Sequence, residues 1–243
     1  MPSVLAYHRP GSLDEATTLL AGPNRRALGG GTVVVPAARR DRGDGIEVVD
    51  LQGLDLAGVA VDGDRLDIGA MVRLGDLVTD DRIPALLRDL ARRELPSALR
   101  NQATVGGTVA LGEADSVLLA GLIVHDARVA LHGQDSIAVG QSLAECVGQR
   151  LVTSISVAVD GHGAIAATGR TPADVPIVAA VARRSADDQV RLALTGVGPY
   201  PVEVDPADPT AGLAPTGDFR GSADYRIHLA GVLSARVLEE LGR

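Results

Sequence analysis

Two glycine segments constrain this chain more than anything else in it: Gly29-Gly30-Gly31-Thr32 and Thr104-Val105-Gly106-Gly107-Thr108. Glycines in tandem let the backbone approach a neighbour or ligand closely and turn its N–H groups toward an anion. The first segment follows a short strand, Arg26-Ala27-Leu28, and opens into an apolar stretch, Val33 to Ala38, that reads as a helix. The second leads through Glu113 and Asp115 into Ser116 to Val124, which reads as a buried helix. One such segment alone is no more than a tight connection, but two, each followed by Thr and an apolar run, point to a shared diphosphate. Neither has the G-x-G-x-x-G spacing of a Rossmann fingerprint.

The rest of the pattern mixes helices and strands. Ser12 caps a helix from Ser12 to Leu20, with Glu15 three residues on and Gly22-Pro23 as the stop. Ile46 to Leu51 is a β-branched strand, and Val59 to Val61 and Arg65 to Ile68 flank the hairpin turn Asp62-Gly63-Asp64. Leu74 to Val78 and Ile83 to Arg93 read as helices, then Arg128 to Leu131 and Ile137 to Val139 as strands. Beyond Gly140 a smaller unit is expected, with strands at Leu151 to Val159, Ala164 to Thr168 and Val190 to Thr195 and a helix at Val175 to Ala182. Pro199 to Pro215 reads as an extended surface connection into a terminal helix from about Ser222, apolar along Leu229, Val232, Leu233, Val237, Leu238 and Leu241.

Composition removes whole classes of function. Of 243 residues 46% are hydrophobic, yet there is no Trp, one Phe and three Tyr, so Ala, Val and Leu fill the core and no aromatic platform exists for single-stranded nucleic acid. The net charge is −8 and every basic residue is Arg, which excludes a Walker lysine, a Schiff-base lysine and a lysine base, and disfavours nucleic acid as a partner. The one cysteine, Cys146, supports neither a disulfide framework nor an iron-sulfur cluster, and reads as a small buried side chain. His125 and His132 lack metal-ligand spacing, and His162 reads as an exposed turn residue. With no leader-like start and no apolar run longer than Val117 to Val124, a cytoplasmic chain without a transmembrane segment is expected.

Several further segments, in order, carry a resemblance: Tyr7-His8-Arg9-Pro10-Gly11-Ser12-Leu13-Asp14-Glu15-Ala16, Val48-Val49-Asp50-Leu51 and Leu66-Asp67-Ile68-Gly69-Ala70. To these are added Leu99-Arg100-Asn101-Gln102-Ala103 before the second glycine pair, Leu194-Thr195-Gly196-Val197-Gly198-Pro199, and Tyr225 to Leu233. Together with the glycine segments, the chain resembles over nearly its whole length the FAD-binding medium subunit of molybdenum hydroxylases, the carbon monoxide dehydrogenase and xanthine dehydrogenase family. The resemblance implies an α+β fold: a two-subdomain FAD-binding (PCMH-type) domain over 1–140, divided near 54, and a small α+β domain over 141–243 with a terminal helix. It implies FAD as cofactor, with Gly29, Gly30, Gly31, Thr32 and Val33 as a first pyrophosphate cradle and Thr104, Gly106, Gly107 and Thr108 as a second. Asp115 would lie near the ribityl chain or the flavin. The implied partners are a molybdopterin-binding large subunit and a 2Fe-2S small subunit, with this chain relaying electrons to an external acceptor; the protein supplies orientation and electrostatics while the cofactor carries the redox chemistry.

The sequence also departs from that pattern. Thr108 stands where the family commonly has Asn or Asp, the segment Val109 to Ser116 is short, and Asp160 to Val175 offers Gly161-His162-Gly163 and Thr168-Gly169-Arg170-Thr171 with no aromatic to stack on the ring. These departures keep open a structural subunit that has lost FAD, and a binder of another diphosphate nucleotide. Arg100 with Asn101 reads as fixing the loop before the second glycine pair, and Glu113 as a solvated loop charge.

Overall fold

The computed structural model describes residues 4–40, 45–144, 150–169 and 174–242; Cys146, Arg170 and Thr171 lie outside them. The chain opens with β1 (Val4–His8), α1 (Leu13–Leu20), β2 (Arg25–Leu28), α2 (Val34–Arg40) and β3 (Ile46–Asp50). The strands form a parallel sheet in the order β1-β3-β2. Ser12 caps α1 as its spacing predicts, its Oγ accepting from the Glu15 N–H at 3.2 Å while the Glu15 carboxylate accepts from the Gly11 N–H at 2.8 Å. Ala16, Val49 and Leu51 bury against Leu151, which arrives from far along the chain.

Next come β4 (Val59–Asp62), β5 (Arg65–Gly69), α3 (Leu74–Thr79), α4 (Ala85–Glu94), α5 (Ser97–Arg100), α6 (Val105–Leu111), α7 (Val117–Val124), β6 (Arg128–Leu131), β7 (Ile137–Ala138), α8 (Val139–Ala144) and β8 (Val152–Ala158). Their sheet has five strands in the order β4-β5-β8-β6-β7. Every residue of α7 is buried, and its Gly121 lets α4 come close: a Cβ there would lie 2.3 Å from Leu90 Cδ1. Strand β8 was expected in the carboxy-terminal unit. It instead pairs antiparallel with both β5 and β6, filling the centre of this sheet with Val152, Ile155 and Val157, so the sheet runs past the expected division at 140. Alternation marks a strand with one buried face but not the sheet that receives it.

The last unit holds β9 (His162–Thr168), β10 (Val178–Arg184), β11 (Val190–Thr195), β12 (Val202–Val204) and α9 (Ala223–Leu241), with strand order β12-β11-β10-β9. The helix expected at Val175 to Ala182 is in fact strand β10. Val178, Ala180 and Ala182 face the core under α9 while Ala179 and Val181 face the core around α7. A strand buried on both faces reads as an unbroken apolar run, which periodicity cannot separate from a helix. Arg226 of α9 ties the unit together, donating to the carbonyls of Ile177 at 3.0 Å and Gly196 at 2.7 Å and pairing with Asp218 at 2.7 Å.

Candidate binding cleft

The β2 ladder ends where the Leu51 N–H donates to the Leu28 carbonyl at 3.0 Å. Immediately beyond, the amides of Gly29, Gly30, Gly31, Thr32 and Val33 donate to no group among the described residues. Gly31, at φ 72°, holds the left-handed conformation that reverses the chain into α2. Consecutive amides with nothing to donate to are a concave donor surface suited to a phosphate.

The second segment is built differently from its expected form. Thr104 is an N-cap and Val105 to Leu111 are helix α6, so Gly106 and Gly107 sit in its first turn. Its N–H groups are spent within the chain: Val105 on Val72 O at 3.0 Å, Gly106 on Ala70 O at 2.9 Å, Gly107 on Thr104 Oγ1 at 3.2 Å and Thr108 on Thr104 O at 3.0 Å. Gly106 serves packing, since a Cβ there would lie 2.6 Å from the Ala70 methyl. The expected pair of amide cradles is therefore one cradle and one wall, with the Thr104 hydroxyl, which accepts from Gly107, keeping its own proton to donate.

The two segments touch. A Cβ on Gly30 would fall 1.9 Å from Gln102 O, and one on Gly29 would fall 3.0 Å from Thr104 Oγ1. All ten residues singled out from the sequence line one cleft of about 1760 Å³. Its far wall comes from the last unit, through Ile165 to Thr168 of β9, Gly169 just after it, and Arg236 and Glu240 of α9. Seven arginines and five carboxylates line it, a net positive surface on a chain of net charge −8. No aromatic side chain is among the described lining residues, as the short loops suggested.

Asp115 lines the cleft, but its carboxylate is engaged by Arg220 at 3.2 Å, and the adjacent Ala114 carbonyl accepts from the Gly196 N–H at 2.8 Å. The loop is thus latched to the last unit. Arg220→Ala is expected to cost less than about 1 kcal/mol of stability, because the pair is part-exposed, yet to weaken flavin binding several-fold by freeing the loop. An unchanged dissociation constant would show that the latch plays no part in binding. Arg100 fixes its loop as expected, Nη1 donating to the carbonyls of Arg92 at 2.6 Å and Leu95 at 2.8 Å.

Sequence reasoning missed Glu94, which also lines the cleft. Ser116 Oγ donates to it at 2.6 Å and the Leu118 N–H at 2.9 Å, and burial pushes its carboxyl above the ordinary range, the Asp115 charge adding to the effect. The available signal was an acid closing a helix whose last turn otherwise holds Arg92 and Arg93, since a helix end favours cations. His125 is buried, with Nδ1 bonded to Ala158 O at 2.8 Å, and among the described residues no group of side chains could hold a metal.

A cleft lined by seven arginines and by amides without acceptors among the described residues, with walls from all three units, has the features of a site for an anionic ligand. Residues 3–157 match the family model described as the FAD binding domain in molybdopterin dehydrogenase, and the chain belongs to that family. It is an oxidoreductase subunit with FAD as its cofactor. The uncharacterized protein YgfM of Escherichia coli strain K12 is 31% identical over 94% of this chain and 93% of its own length. The carbon monoxide dehydrogenase medium chain of Hydrogenophaga pseudoflava is 26% identical over 98% and 97%. Among solved structures, a carbon monoxide dehydrogenase from Hydrogenophaga pseudoflava shares the fold at TM-score 0.88 and 23% identity, covering 98% of this chain and 97% of that one. Reconstituted CO dehydrogenase from Oligotropha carboxidovorans matches at TM-score 0.86 and 26% identity, with 98% of each chain covered.

The residues fit FAD. The free amides of Gly29 to Val33 suit a pyrophosphate, and the cleft that both glycine segments line is large enough for the dinucleotide.

Proposed function

We propose that the cleft holds the FAD pyrophosphate on the amides of Gly29, Gly30, Gly31, Thr32 and Val33, beside the Thr104 hydroxyl and against the wall made by Gly106, Gly107 and Thr108. Asp115 keeps the neighbouring loop in place. When bound, FAD supplies two-electron redox chemistry; the chain's own groups bind it, orient it and screen it from water. The chain relays electrons from a 2Fe-2S small subunit, fed by a molybdopterin-binding large subunit, to an external acceptor. This working complex is cytoplasmic, a setting in keeping with a single cysteine; among the described residues no helix is long and apolar enough to cross a membrane.

The observation that carries this reading is the run of five amides without acceptors among the described residues, on a segment that lines the same cleft as the second glycine pair. A scaffold that had lost its cofactor would have no use for so large a cleft, and side chains would be expected to fill it. Titration of the purified chain with FAD, followed by flavin fluorescence and with ADP as competitor, is expected to give saturable binding that ADP opposes only weakly. Absence of binding, alone and with the partner subunits, would remove the electron-relay role; equal affinity for ADP would point to a general diphosphate binder.

A further inference from the structure

Phe219 is the only phenylalanine in the chain, and the fold leaves it 98% exposed. In a chain with no Trp and three Tyr, a large apolar ring is thus kept in water, where it gains nothing from burial. The turn that carries it is firmly held. The Asp218 N–H donates to the Gly221 carbonyl at 3.0 Å and the Gly221 N–H donates back at 3.2 Å. The Asp218 carboxylate accepts from the Arg220 N–H at 2.9 Å, meets Arg220 Nε at 3.2 Å and pairs with the buried Arg226 of α9 at 2.7 Å. Gly217 closes the base, since a Cβ on it would lie 3.2 Å from Ser222 Cα.

The surroundings of the turn are apolar and adjoin the cleft. A Cβ on Gly221 would lie 2.9 Å from Tyr225 Cδ1 and 3.6 Å from Ile177 Cγ2. Tyr225 is itself exposed, and so is Val175, two residues before Ile177, which lines the cleft. Arg220 reaches Asp115, another lining residue, at 3.2 Å, whereas Phe219 lines no part of the cleft. The ring therefore stands outside the cleft, one residue from the contact that latches its rim. The charges around it cancel, Asp115 and Asp218 against Arg220 and Arg226, so what the turn offers is an apolar anchor. A ring already held in place loses little freedom when it is seated in a pocket, which is the form that interface hot spots take.

We propose that Phe219, flanked by Tyr225 and Val175, is the anchor on which the electron-donating 2Fe-2S subunit docks, the ring entering an apolar pocket of that subunit. The proposal rests on the FAD reading above. Electron transfer falls off steeply with distance, so a donor to a flavin held in the cleft must seat on the rim of that cleft. The Asp218–Gly221 turn is joined to that rim through Arg220 and Asp115. A second copy of this chain would bring no electron donor to the flavin, and an anchor facing away from the cleft suits a partner chain better than a cover for the cofactor.

The test is isothermal titration of the full chain, loaded with FAD as read from flavin absorbance, with the purified 2Fe-2S small subunit of its complex. Phe219→Ala is expected to weaken binding of the subunit by about 30-fold or more, and Phe219→Leu, which keeps an apolar side chain, by much less. Both variants should keep the FAD affinity and urea midpoint of wild type, because the ring is exposed to solvent. Val61→Ala, at an exposed position of β4, is the control and should bind the subunit as wild type does. Equal affinity of wild type and Phe219→Ala for the subunit, with loading intact, would overturn the anchor alone. Loss of FAD in Phe219→Ala would make the ring a cover for the flavin and overturn it too. So would a wild-type dimer that this variant breaks while subunit binding is unchanged, since the patch would then belong to a second copy. Failure of the wild-type chain to load would overturn the FAD reading and, with it, the donor's place on the rim.

Discussion

Gly30→Ala is expected to weaken FAD binding by about 100-fold or more and to destabilise the fold by roughly 1–3 kcal/mol. The added Cβ would sit 1.9 Å from Gln102 O and 2.9 Å from Ala103 Cα, both backbone atoms, so no side chain can swing away to make room. The first segment must withdraw from the second, and that displaces the amides of Gly29 to Val33. A hundredfold loss is about 2.7 kcal/mol, the size of one or two hydrogen bonds to a charged group. Gly58→Ala is the control: nothing lies within 4 Å of its added Cβ, and both affinity and stability should stay near wild type. Isothermal titration with FAD and urea denaturation of the two variants check this, and a Gly30→Ala protein that still binds FAD at wild-type strength would place the pyrophosphate elsewhere.

Stability should fall by about 3 kcal/mol on acidification from pH 6.5 to 4, through His125 alone. The imidazole is 3% exposed, Nδ1 donates to Ala158 O, and Nε2 has no partner among the described residues. Burial first, then the positive charges of Arg183 and Arg191, lower its pKa from 6.5 to about 4. The folded value lies below the unfolded one, so within this window the unfolded chain binds the extra proton. Stability is therefore whole above pH 6.5, declines as pH falls, and changes no further through this group below about 4. Glu94 acts in the opposite sense, because an acid whose folded pKa is raised gains stability on protonation. His125→Asn can still donate to Ala158 and does not titrate, so its urea midpoints at pH 7 and pH 4.5 should differ by much less than those of wild type. Equal pH dependence in the two proteins would show that this histidine is not the acid-labile point.

Local chemistry was legible where a single residue decides it. The Ser12 and Glu15 spacing identified α1, Asp62-Gly63-Asp64 identified the hairpin between β4 and β5, and the order of the glycine segments identified the family. Partner choice at long range was not. Ala179 and Val181 face one core and Val178, Ala180 and Ala182 another, so the run that forms β10 carries no period to distinguish strand from helix. The same limit applies to the second glycine pair. Its residues promised free amides, but whether an N–H is free depends on Ala70 and Val72, which the strand-to-helix connection after β5 brings alongside. Glu94 escaped notice because its meaning lies in Ser116 and Leu118, which fold back onto the end of α4.

The placement of β8 has a consequence for how the molecule is made. Residues 65–69 and 128–131 are joined only through residues 152–158, which pair with both. On a ribosome, the first half emerges with the flanks of its middle sheet unjoined, and Leu151 has yet to plug the core of the opening sheet. A fragment ending at residue 140 is therefore expected to be a chaperone client rather than an independent domain, whereas translation past Ala158 completes the middle sheet and supplies Leu151 to the core of the opening unit.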